Sequence, residues 1–456
     1  MGGVLLTHSN HLLSDAKQTG KMQPYPPLQT LLAAAVLRRY GIETAVFDPA
    51  LQSPYNGFAA ALQRHSPELI AVCEDDFNFL SKMCLAHNRE LAFAFAKTAG
   101  AAGIPIVAHG HDASDHSREY LQAGFSAVLI GEVETTLLEL AMGKLRCEIA
   151  GLAYIHNGDV QSNPARPLHS DLDALPLPAW DLIDLEAYRA AWQSAHGYFS
   201  LNMASSRGCP YRCNWCAKPV HGNSYHARSP ESVAAEMLYL KTTFQPDHLW
   251  FADDIFALSP RWTFEFADAV ERLGASIPFK MQSRCDLMTR PTVAALKRAG
   301  VAEVWMGAES GSQRVLDAME KGIRVEQVFD ARENLRRHGI RACFFLQFGY
   351  PGEEWAEIEQ TIRMVRQAAP DDIGVSVSYP LPGTRFHQIV NAQMGSKSNW
   401  RDSADLTMMF RGAYSTEFYR ALADALHLEV RGGGSAAEAW QLVNELRESA
   451  RLAEVA

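Results

Sequence analysis

The sequence predicts an α/β protein with two parallel sheets: an N-terminal doubly wound domain, a partial (β/α)6 barrel, and a helical C-terminal region. Two observations predict this fold. Short apolar runs alternate with helical stretches over the first 145 residues, and the same alternation resumes between residues 199 and 387. Strands that alternate with helices form parallel sheets, because a parallel connection needs a long crossover. We therefore expect domains at 1–145 and 199–387, a linker at 146–198, and helices at 388–456.

The N-terminal domain is predicted to contain five parallel strands. They are Val4–Thr7, Thr44–Phe47, Leu69–Cys73, Pro105–Ala108 and Ala127–Ile130. In a doubly wound sheet, ligands bind beyond the carboxyl ends of the strands. The residues at those ends that we single out are Thr7, Cys73, Glu74, Gly110, Gly131 and Glu132. No Gly-x-Gly-x-x-Gly motif follows the first strand, so the sequence disfavours a dinucleotide as the ligand.

The linker is predicted to be mostly extended. An Asn157-Gly158 pair between two short apolar runs predicts a β-hairpin. Pro176 and Pro178 then restrict the preceding residues to extended conformations.

The barrel is predicted to contain six strands, each followed by a helix or loop. Their cores are Phe199–Met203, His248–Phe251, Phe279–Gln282, Glu303–Met306, Ala342–Phe348 and Gly374–Val377. In barrels of this kind the chemistry collects at the carboxyl ends of the strands. We therefore expect the functional residues of the second domain at the ends of these strands.

Three cysteines follow the first barrel strand in a single loop. Cys209, Cys213 and Cys216 have the spacing C-x3-C-x2-C, in a segment that also contains Gly208 and Pro210. Three thiolates from one loop can hold three irons of a four-iron, four-sulfur (4Fe-4S) cluster and leave the fourth iron open to a ligand.

Two other interpretations of the cysteine loop are open at this stage. His221 or His226 could complete a zinc site with three cysteines and one histidine. The cysteines could also be three unrelated structural residues.

Polar residues end the later barrel strands in a way that suits a small zwitterion. Asp253 and Asp254 could accept hydrogen bonds from an ammonium group. Arg284 offers a guanidinium fork for a carboxylate, and Ser283 beside it offers a hydroxyl. The remaining candidates are Glu309, which follows the fourth strand, and Gln347, within the fifth.

The cysteine motif, with Trp215 before its last cysteine and these strand ends in order, resembles the radical S-adenosylmethionine (radical SAM) superfamily. The N-terminal part resembles the cobalamin-binding domain that precedes the barrel in one subclass. This similarity runs through 26–28 and 41–43, Gly131-Glu132-x-Glu134, and the linker segment at 175–181. The resemblance implies a Rossmann-like first domain and a TIM-like partial barrel.

The resemblance also implies three cofactors and their residues. Cys209, Cys213 and Cys216 would hold a 4Fe-4S cluster. S-adenosylmethionine (SAM) would bind to Asp253, Asp254, Ser283, Arg284, Glu309 and Gln347. Cobalamin would bind to Thr7, Cys73, Glu74, Gly110, Gly131 and Glu132.

The activity implied by the resemblance is reductive cleavage of SAM to a 5′-deoxyadenosyl radical. The leading hypothesis is methyl transfer to an unactivated carbon of a small molecule, with an electron donor such as flavodoxin or ferredoxin. The first alternative is ring closure or rearrangement, as in the anaerobic magnesium-protoporphyrin monomethyl ester cyclase. The second is a non-catalytic iron–sulfur redox sensor, and the N-terminal domain could also be a relic that binds nothing.

The chain departs from the cobalamin subclass at two strand ends. His109-Gly110-His111-Asp112 replaces the Gly-Gly-Pro-His-like turn that relatives often carry, and Glu74-Asp75-Asp76 forms an unusual acidic run. The Asp-x-His-x-x-Gly motif is absent from the sequence, so we expect no histidine lower ligand to cobalt.

Composition excludes several classes of protein. The formal net charge is −10, which speaks against nucleic acid as a partner. No apolar run approaches the roughly 20 residues needed to span a bilayer, so we expect no membrane association. Outside the loop, five further cysteines are scattered without framework spacing. The expected compartment is therefore the reducing cytoplasm.

Overall fold

The protein contains two main sheets, one mixed and one entirely parallel, and helices cover them. A computed structural model describes residues 3–78, 83, 85–217, 220–432 and 435–455. One of the scattered cysteines, Cys84, lies outside the described residues. The α/β class predicted from the sequence is confirmed, with a doubly wound first domain, an open six-stranded barrel sheet and a helical C-terminal region.

The first sheet has seven strands in the order β2-β1-β3-β4-β5-β6-β7. They are β1 Val4–Thr7, β2 Thr44–Val46, β3 Leu69–Cys73, β4 Ile106–His109, β5 Ala127–Leu129, β6 Leu152–His156 and β7 Asp159–Ser162. The first five pair in parallel, whereas β6 pairs antiparallel with β5 and β7 pairs antiparallel with β6.

The β6–β7 hairpin differs in position from the sequence prediction, which assigned it to the linker. Asn157 and Gly158 form its turn with positive φ angles of 51° and 87°, as expected for this residue pair. Leu152 and Ala153 then pair with Leu129 and Val128. The first sheet therefore extends to Ser162, because the edge of β5 offers unpaired backbone groups that the hairpin satisfies.

Helices cover both faces of the first sheet. They are α1 Ala16–Lys21, α2 Leu28–Arg39, α3 Pro54–His65, α4 Leu85–Ala101, α5 His111–Asp115, α6 Ser117–Gln122 and α7 Val133–Ala141. One apolar core contains buried residues of α2 and α7, and a second contains those of α3, α4 and α6. This division between two faces is the doubly wound arrangement.

The second sheet has six parallel strands in the order β15-β14-β13-β12-β11-β8. They are β8 Ser200–Met203, β11 His248–Phe251, β12 Phe279–Ser283, β13 Val301–Glu309, β14 Arg341–Phe348 and β15 Asp372–Val377. Among the described strands, β8 and β15 do not pair with each other, so the barrel is open between them.

The helices of the barrel follow its strands in sequence. They are α9 Pro230–Thr243, α10 Pro260–Leu273, α11 Arg290–Ala299, α12 Gln313–Ala318, α13 Val325–Arg337 and α14 Trp355–Ala368. The first three start with Pro at an early position and a Ser or Thr side chain that caps the helix. Together with the strands they form the largest apolar core of the chain.

A short antiparallel ribbon stands at the top of β8. Its strands are β9 Ser206–Arg207 and β10 His226–Ala227. The ribbon closes the chain between them into one loop, which contains all three cysteines of the motif.

The linker and the C-terminal region connect the two sheets. The linker helix α8, Leu185–His196, donates hydrogen bonds from Tyr188 to Asp48 (2.6 Å) and from Trp192 to Pro24 O (2.6 Å). The C-terminal helices are α15 Arg385–Val390, α16 Thr416–Arg431 and α17 Ala436–Val455.

The segment 398–405 lies between α15 and α16 and contacts both domains. Its Ser403 N–H donates to Asp15 (2.8 Å), and Asn399 accepts from Arg89 (3.1 Å). On the barrel side, Asn399 donates to the hydroxyl of Tyr379 (3.1 Å). The segment therefore holds the N-terminal domain against the barrel.

No helix within the described part of the chain combines the length and apolarity that crossing a bilayer requires.

Candidate active site

The cysteine loop starts with a glycine that the local packing requires. Gly208 has φ +78°, and a Cβ there would lie 2.5 Å from the backbone oxygen of Ser224. Any other residue at this position would both strain the backbone and collide with the returning strand of the loop. Gly208 therefore sets the tight entry to Cys209.

The middle of the loop is fixed to the barrel by Asn214. Its backbone N–H donates to Met319 O (3.0 Å), and its side chain donates to Ala318 O (2.7 Å) and to the Tyr350 hydroxyl (3.0 Å). Its carbonyl accepts from Phe386 N (3.0 Å). Asn214 lies between Cys213 and Cys216, so these bonds tie the segment with the last two cysteines to the C-terminal end of α12, the turn after β14 and the start of α15.

The three cysteines form no disulfide bond, and all three are partly exposed. Two cations stand near them. The guanidinium of Arg284 lies 3.7 Å from the ring centroid of Tyr211, and Lys321 Nζ lies 6.0 Å from that of Trp215. Burial lowers the pKa of Lys321, but the charges of Glu309 and Cys213 more than offset this and raise it. Thiolates are stabilised by neighbouring cations of this kind.

This donor set fits an iron–sulfur cluster. Three partly exposed cysteines on one loop, none of them in a disulfide, can supply the three thiolate ligands of a 4Fe-4S cube with one open iron. In the part of the chain that the structure describes, no three His, Cys, Asp or Glu side chains, those of the cysteine loop included, are grouped so that they could hold a single metal ion. The two histidines considered as a fourth zinc ligand have other neighbours in the structure. His226 pairs with Arg207 in the β9–β10 ribbon, and His221 lies 3.9 Å from Glu132.

Asp253 supports the base of the cysteine loop. It is completely buried, and it accepts hydrogen bonds from Ser205 N (3.1 Å), from Ser205 Oγ (2.7 Å) and from Ser206 Oγ. Burial raises the pKa of Asp253 to about 6. Both of its oxygens accept from the chain just before the loop, whereas the neighbouring Asp254 is exposed.

Arg284 is held by the protein at four of its donor positions. Its Nε and Nη2 donate to Asp286 (2.9 and 3.2 Å). Nη1 donates to Lys321 O (2.8 Å), and Nη2 also contacts Gly322 O (3.3 Å). A guanidinium has five N–H donors. Arg284 is thus a fixed cation beneath Tyr211 with one donor left for a ligand.

Glu309 and Lys321 form a buried ion pair at the end of β13. The two charged atoms are 2.7 Å apart, and both residues are almost fully buried. A Cβ at Gly307 would lie 2.5 Å from both Glu309 Oε1 and Lys321 Nζ. A register shift between Gly307 and Glu309, where φ is +58°, turns the glutamate toward the lysine.

The two remaining SAM candidates point to neighbouring protein groups. Ser283 donates to Phe256 O (2.8 Å), and Gln347 donates to the Ser378 hydroxyl (3.0 Å). The structure thus brings Arg284 and Glu309 together through Lys321, beside the cysteine loop. Ser283, Gln347 and Asp253 lie at their predicted strand ends and donate or accept within the barrel.

The candidate cobalamin residues lie along the carboxyl edge of the first sheet. Thr7 and Cys73 are completely buried, and burial raises the pKa of the Cys73 thiol. Glu74 accepts from Ser9 N (2.9 Å) and Ser9 Oγ (2.6 Å). A Cβ at Gly110 would lie 2.7 Å from that of Glu74, whereas one at Gly131 would meet no atom within 4 Å.

Gly131 is therefore the residue of this group that borders open space. It has φ +83° and follows β5. This local shape fits the close approach of a broad ligand such as a corrin. The assignment of the six residues to cobalamin stays a prediction.

The acidic run after β3 has partners inside the protein. Asp75 accepts from Gln29 N (3.2 Å), and burial raises its pKa to about 6. Asp76 lies 3.3 Å from His109 and 3.7 Å from His111. Burial lowers the pKa of His109 to about 4, and its Nε2 donates to Gly131 O (2.9 Å). The acidic run and the histidine turn, the two departures noted in the sequence, are thus neighbours.

A buried ion network joins the first sheet to the cysteine loop. Arg207, two residues before Cys209, lies 2.7 Å from Glu132 and 2.5 Å from Glu134. Burial raises the pKa of Glu134, but Arg207 more than offsets this and holds it at about 2. Glu132, a cobalamin candidate from the sequence, is therefore a partner of the loop that precedes the cluster cysteines.

Sequence reasoning missed four residues of this site. They are Arg207, Asn214, Lys321 and Glu353. Arg207 and Asn214 lie inside or beside the motif, so their positions could have been noticed. Lys321 lies beyond the helix α12 that follows β13, and the register shift at the end of β13 turns Glu309 toward it.

Glu353 is a buried carboxyl group in the turn after β14. One of its oxygens accepts from Gly349 N (2.5 Å). Within the described residues, neither its other oxygen nor the Tyr419 hydroxyl has a hydrogen-bond partner. Burial raises the pKa of Glu353 to about 8, so the side chain is mostly protonated at neutral pH.

The fold and the site together define an α/β protein with a three-cysteine loop at the carboxyl end of a partial barrel. Residues 203–365 match the family described as the radical SAM superfamily. Over these residues, which form most of the barrel, the chain is similar to that superfamily.

Two relatives and one solved structure extend the comparison. An uncharacterized methyltransferase of Pyrococcus horikoshii is 31% identical over 281 residues, which cover 60% of this chain and 60% of that protein. The anaerobic magnesium-protoporphyrin IX monomethyl ester cyclase of Rubrivivax gelatinosus is 23% identical, over 84% of this chain and 69% of that protein. The chain thus spans less than two thirds of the Pyrococcus protein.

The solved structure is the radical SAM methyltransferase TsrM from Kitasatospora setae, with cobalamin and a 4Fe-4S cluster bound. It superposes with a TM-score of 0.67 at 19% identity, and the match covers 83% of this chain and 72% of TsrM. At this identity the similarity establishes the shared fold.

The cysteine loop yields a prediction on iron content. Anaerobic reconstitution should give about four irons per chain. Replacement of Cys209, Cys213 and Cys216 by Ala should abolish the cluster, because each thiolate would hold one iron. Cys147 is an exposed cysteine of the first domain, so Cys147→Ala is the matched control. This variant should keep the full iron content. Full iron in the triple variant, or a preference for one zinc, would contradict the assignment.

Glu353 yields a prediction on the pH dependence of stability. Its pKa in the folded protein, about 8, lies above the ordinary 4.5 of an unfolded glutamate. Between these values the unfolded state loses the proton while the folded state keeps it, so stability falls as pH rises. The Tm of wild type should therefore decline relative to that of Glu353→Gln between pH 5 and pH 8. If the Tm of the two proteins changed with pH in the same way, this interpretation would be wrong.

Proposed function

We propose that this protein is a cobalamin-dependent radical SAM enzyme that methylates an unactivated carbon of a small molecule. The observation that carries the proposal is the position of the cysteine loop. Asn214 fixes it at the carboxyl end of the barrel sheet, and Arg207 joins it to the carboxyl end of the first sheet. Ligands of the two sheets would then be neighbours, as methyl transfer from cobalamin requires.

The residues of the barrel suit the roles that SAM binding needs. The cluster on Cys209, Cys213 and Cys216, when bound, supplies the electron that cleaves SAM. Arg284 presents a fixed positive charge beside the loop, and Glu309 presents a buried carboxylate paired with Lys321. These groups are positioned before any ligand arrives, and such preorganisation favours binding and orientation.

The remaining SAM candidates are proposed in supporting roles. Asp253 would hold the chain before Cys209 rather than contact the ligand, since both of its oxygens already accept hydrogen bonds. Asp254 next to it is exposed and could accept from an ammonium group. Ser283 and Gln347 would shape the strand ends on which the ligand rests.

Cobalamin is proposed to lie along the carboxyl edge of the first sheet beside Gly131. The open space at that glycine accommodates close backbone approach, and Thr7 and Cys73 would form the floor below it. Glu74 and Asp75 do not argue against this site as isolated carboxylates would, because they accept hydrogen bonds from Ser9 and Gln29, and Asp76 has His109 3.3 Å away.

The substrate is proposed to enter between the two domains. The segment 398–405 bridges them through Ser403 and Asn399 and would form the third wall of the chamber. Exclusion of water by such a wall protects a reactive intermediate from side reactions. A flavodoxin or ferredoxin would deliver the electron from outside, at the partly exposed cysteines, in the cytoplasm.

A radical cyclase is the second candidate. The observation that favours it is the extent of the match to the Rubrivivax cyclase, which runs through both domains over 403 residues. The retained positions of Arg284 and Glu309 favour either enzyme over a redox sensor, because a sensor needs no SAM site.

SAM cleavage is the first test of this proposal. With dithionite, the reconstituted protein should convert SAM to 5′-deoxyadenosine. Arg284→Ala should weaken SAM binding by about 1.5–3 kcal/mol, the scale of a hydrogen bond to a charged group. The exposed Arg261, which pairs with Glu265, supplies the control variant Arg261→Ala. If no reductant yields deoxyadenosine, the redox sensor becomes the better interpretation.

Cobalamin retention is the second test. Purification with hydroxocobalamin should give about one bound cobalt per chain, with the base-off spectrum expected when no histidine ligates cobalt. Gly131→Leu should reduce retention, because a side chain would fill the open space at this position. Gly143→Leu, at an open positive-φ position after α7, controls for backbone strain. Cleavage of SAM without any retained cobalt would indicate an enzyme that uses SAM without cobalamin.

A further inference from the structure

The junction between the cysteine loop and the first domain is built from buried charges. Arg207 is 5% exposed, and its partners Glu132 and Glu134 are 4% and 1% exposed. Removing three charged groups from water costs several kcal/mol for each ion unless the groups are paired. The geometry of this junction is therefore strongly constrained: Arg207 can stay buried only where both carboxylates meet it.

The network has supporting contacts in the first domain and the linker. Gln29 on α2 donates to Glu134 (3.0 Å), and His169 N in the linker donates to Glu132. Both glutamates sit at the start of α7, directly after β5. Their positions are thus fixed by the first sheet and the linker, independently of the barrel.

The opposite side of the network touches both ends of the cysteine loop. Arg207 lies in β9, the strand that enters the loop, and His221 lies 3.9 Å from Glu132 in the returning part. Gly208 separates Arg207 from Cys209, and a Cβ at Gly208 would lie 3.1 Å from that of His221. A shift of Glu132 would therefore change contacts of the loop both before and after Cys209.

We propose that Arg207 is a positioning residue through which the N-terminal domain sets the conformation of the cluster loop. The Arg207–Glu132–Glu134 network does not touch the reacting atoms. It holds the entry to Cys209 at a place determined by β5 and α7. The proposal deepens the proposed function, on which it rests, because it makes the first domain part of the cluster site.

The test uses a substitution in the first domain and measures the cysteine loop. Glu134→Gln removes one carboxylate charge 75 residues before Cys209 in the sequence. The matched control is Glu139→Gln on the same helix, because Glu139 pairs with Lys144 and Arg166 away from the loop. Two quantities are measured on the full chain: the alkylation rate of each cysteine before reconstitution, and the midpoint potential of the reconstituted cluster.

The buried Cys285 serves as an internal reference for general loosening of the fold. In Glu134→Gln, the alkylation rate of Cys209 relative to Cys285 should rise about fivefold or more, the scale of a coupling between sites. The midpoint potential should shift in Glu134→Gln and not in Glu139→Gln. An unchanged ratio with an unchanged potential would overturn the proposal, even if the variant were less stable.

Two further variants separate positioning from stability. Arg207→Gln removes the positive charge and should change the alkylation rate of Cys209 relative to Cys285. Arg207→Lys keeps the charge, so its ratio should lie closer to the wild-type value. The combined variant Arg207→Met, Glu132→Gln and Glu134→Gln removes the buried charges together, and should recover thermal stability without recovering the wild-type ratio. Recovery of both would show that the ion network does not position the loop. A wild-type protein without cluster or SAM cleavage would refute the proposed function instead, which distinguishes the two failures.

Discussion

The desolvation of Arg207 is the constraint on which the arrangement of the two domains depends. A guanidinium cannot lose its charge at any ordinary pH. Its burial must therefore be compensated by carboxylates, and both of them come from the other domain. In the buried state the three charged groups compensate one another only where the two domains meet. The same contact that joins the domains also fixes the entry to the cysteine loop.

Buried charge recurs along the carboxyl edges of both sheets, and in each case a partner comes from a different element. Lys321 reaches Glu309 from the loop after α12, and Asp76 lies near His109 at the end of β4 and His111 at the start of α5. Parallel strands end at a common edge, so polar groups from distant parts of the chain converge there. This convergence makes the edges suitable for binding ligands. It also means that many candidate residues already form hydrogen bonds or ion pairs with other residues at the same edge.

The sequence predicted the strands of the fold well, because hydrophobic periodicity reports burial directly. The predicted barrel strand at His248–Phe251 matches the observed one, and the hairpin turn at Asn157-Gly158 was recognised. The attachment of that hairpin to β5 was not, since pairing between strands leaves little trace in one sequence. The cysteine loop was found because its spacing is local and specific.

The contacts of the candidate site were harder to predict for a different reason. Arg284 and Asp253 were predicted from their positions at strand ends. Such a position predicts where a residue lies but not the direction in which its side chain points. Whether a buried side chain faces a ligand or a neighbouring loop depends on register and on backbone bulges such as the one at Glu309. Asp253 illustrates this: its residue type suits an ammonium group, yet its geometry binds Ser205 and Ser206.

The cysteine loop is held mainly by residues outside the motif, and this explains how a partly exposed segment can keep a defined shape. Asp253 fixes its base, Asn214 its middle, and Arg207 its approach, each through buried hydrogen bonds or ion pairs. The thiols themselves stay accessible, as a cluster that must receive electrons from outside requires. Rigidity thus comes from the two domains that anchor the loop, while its thiols remain partly exposed.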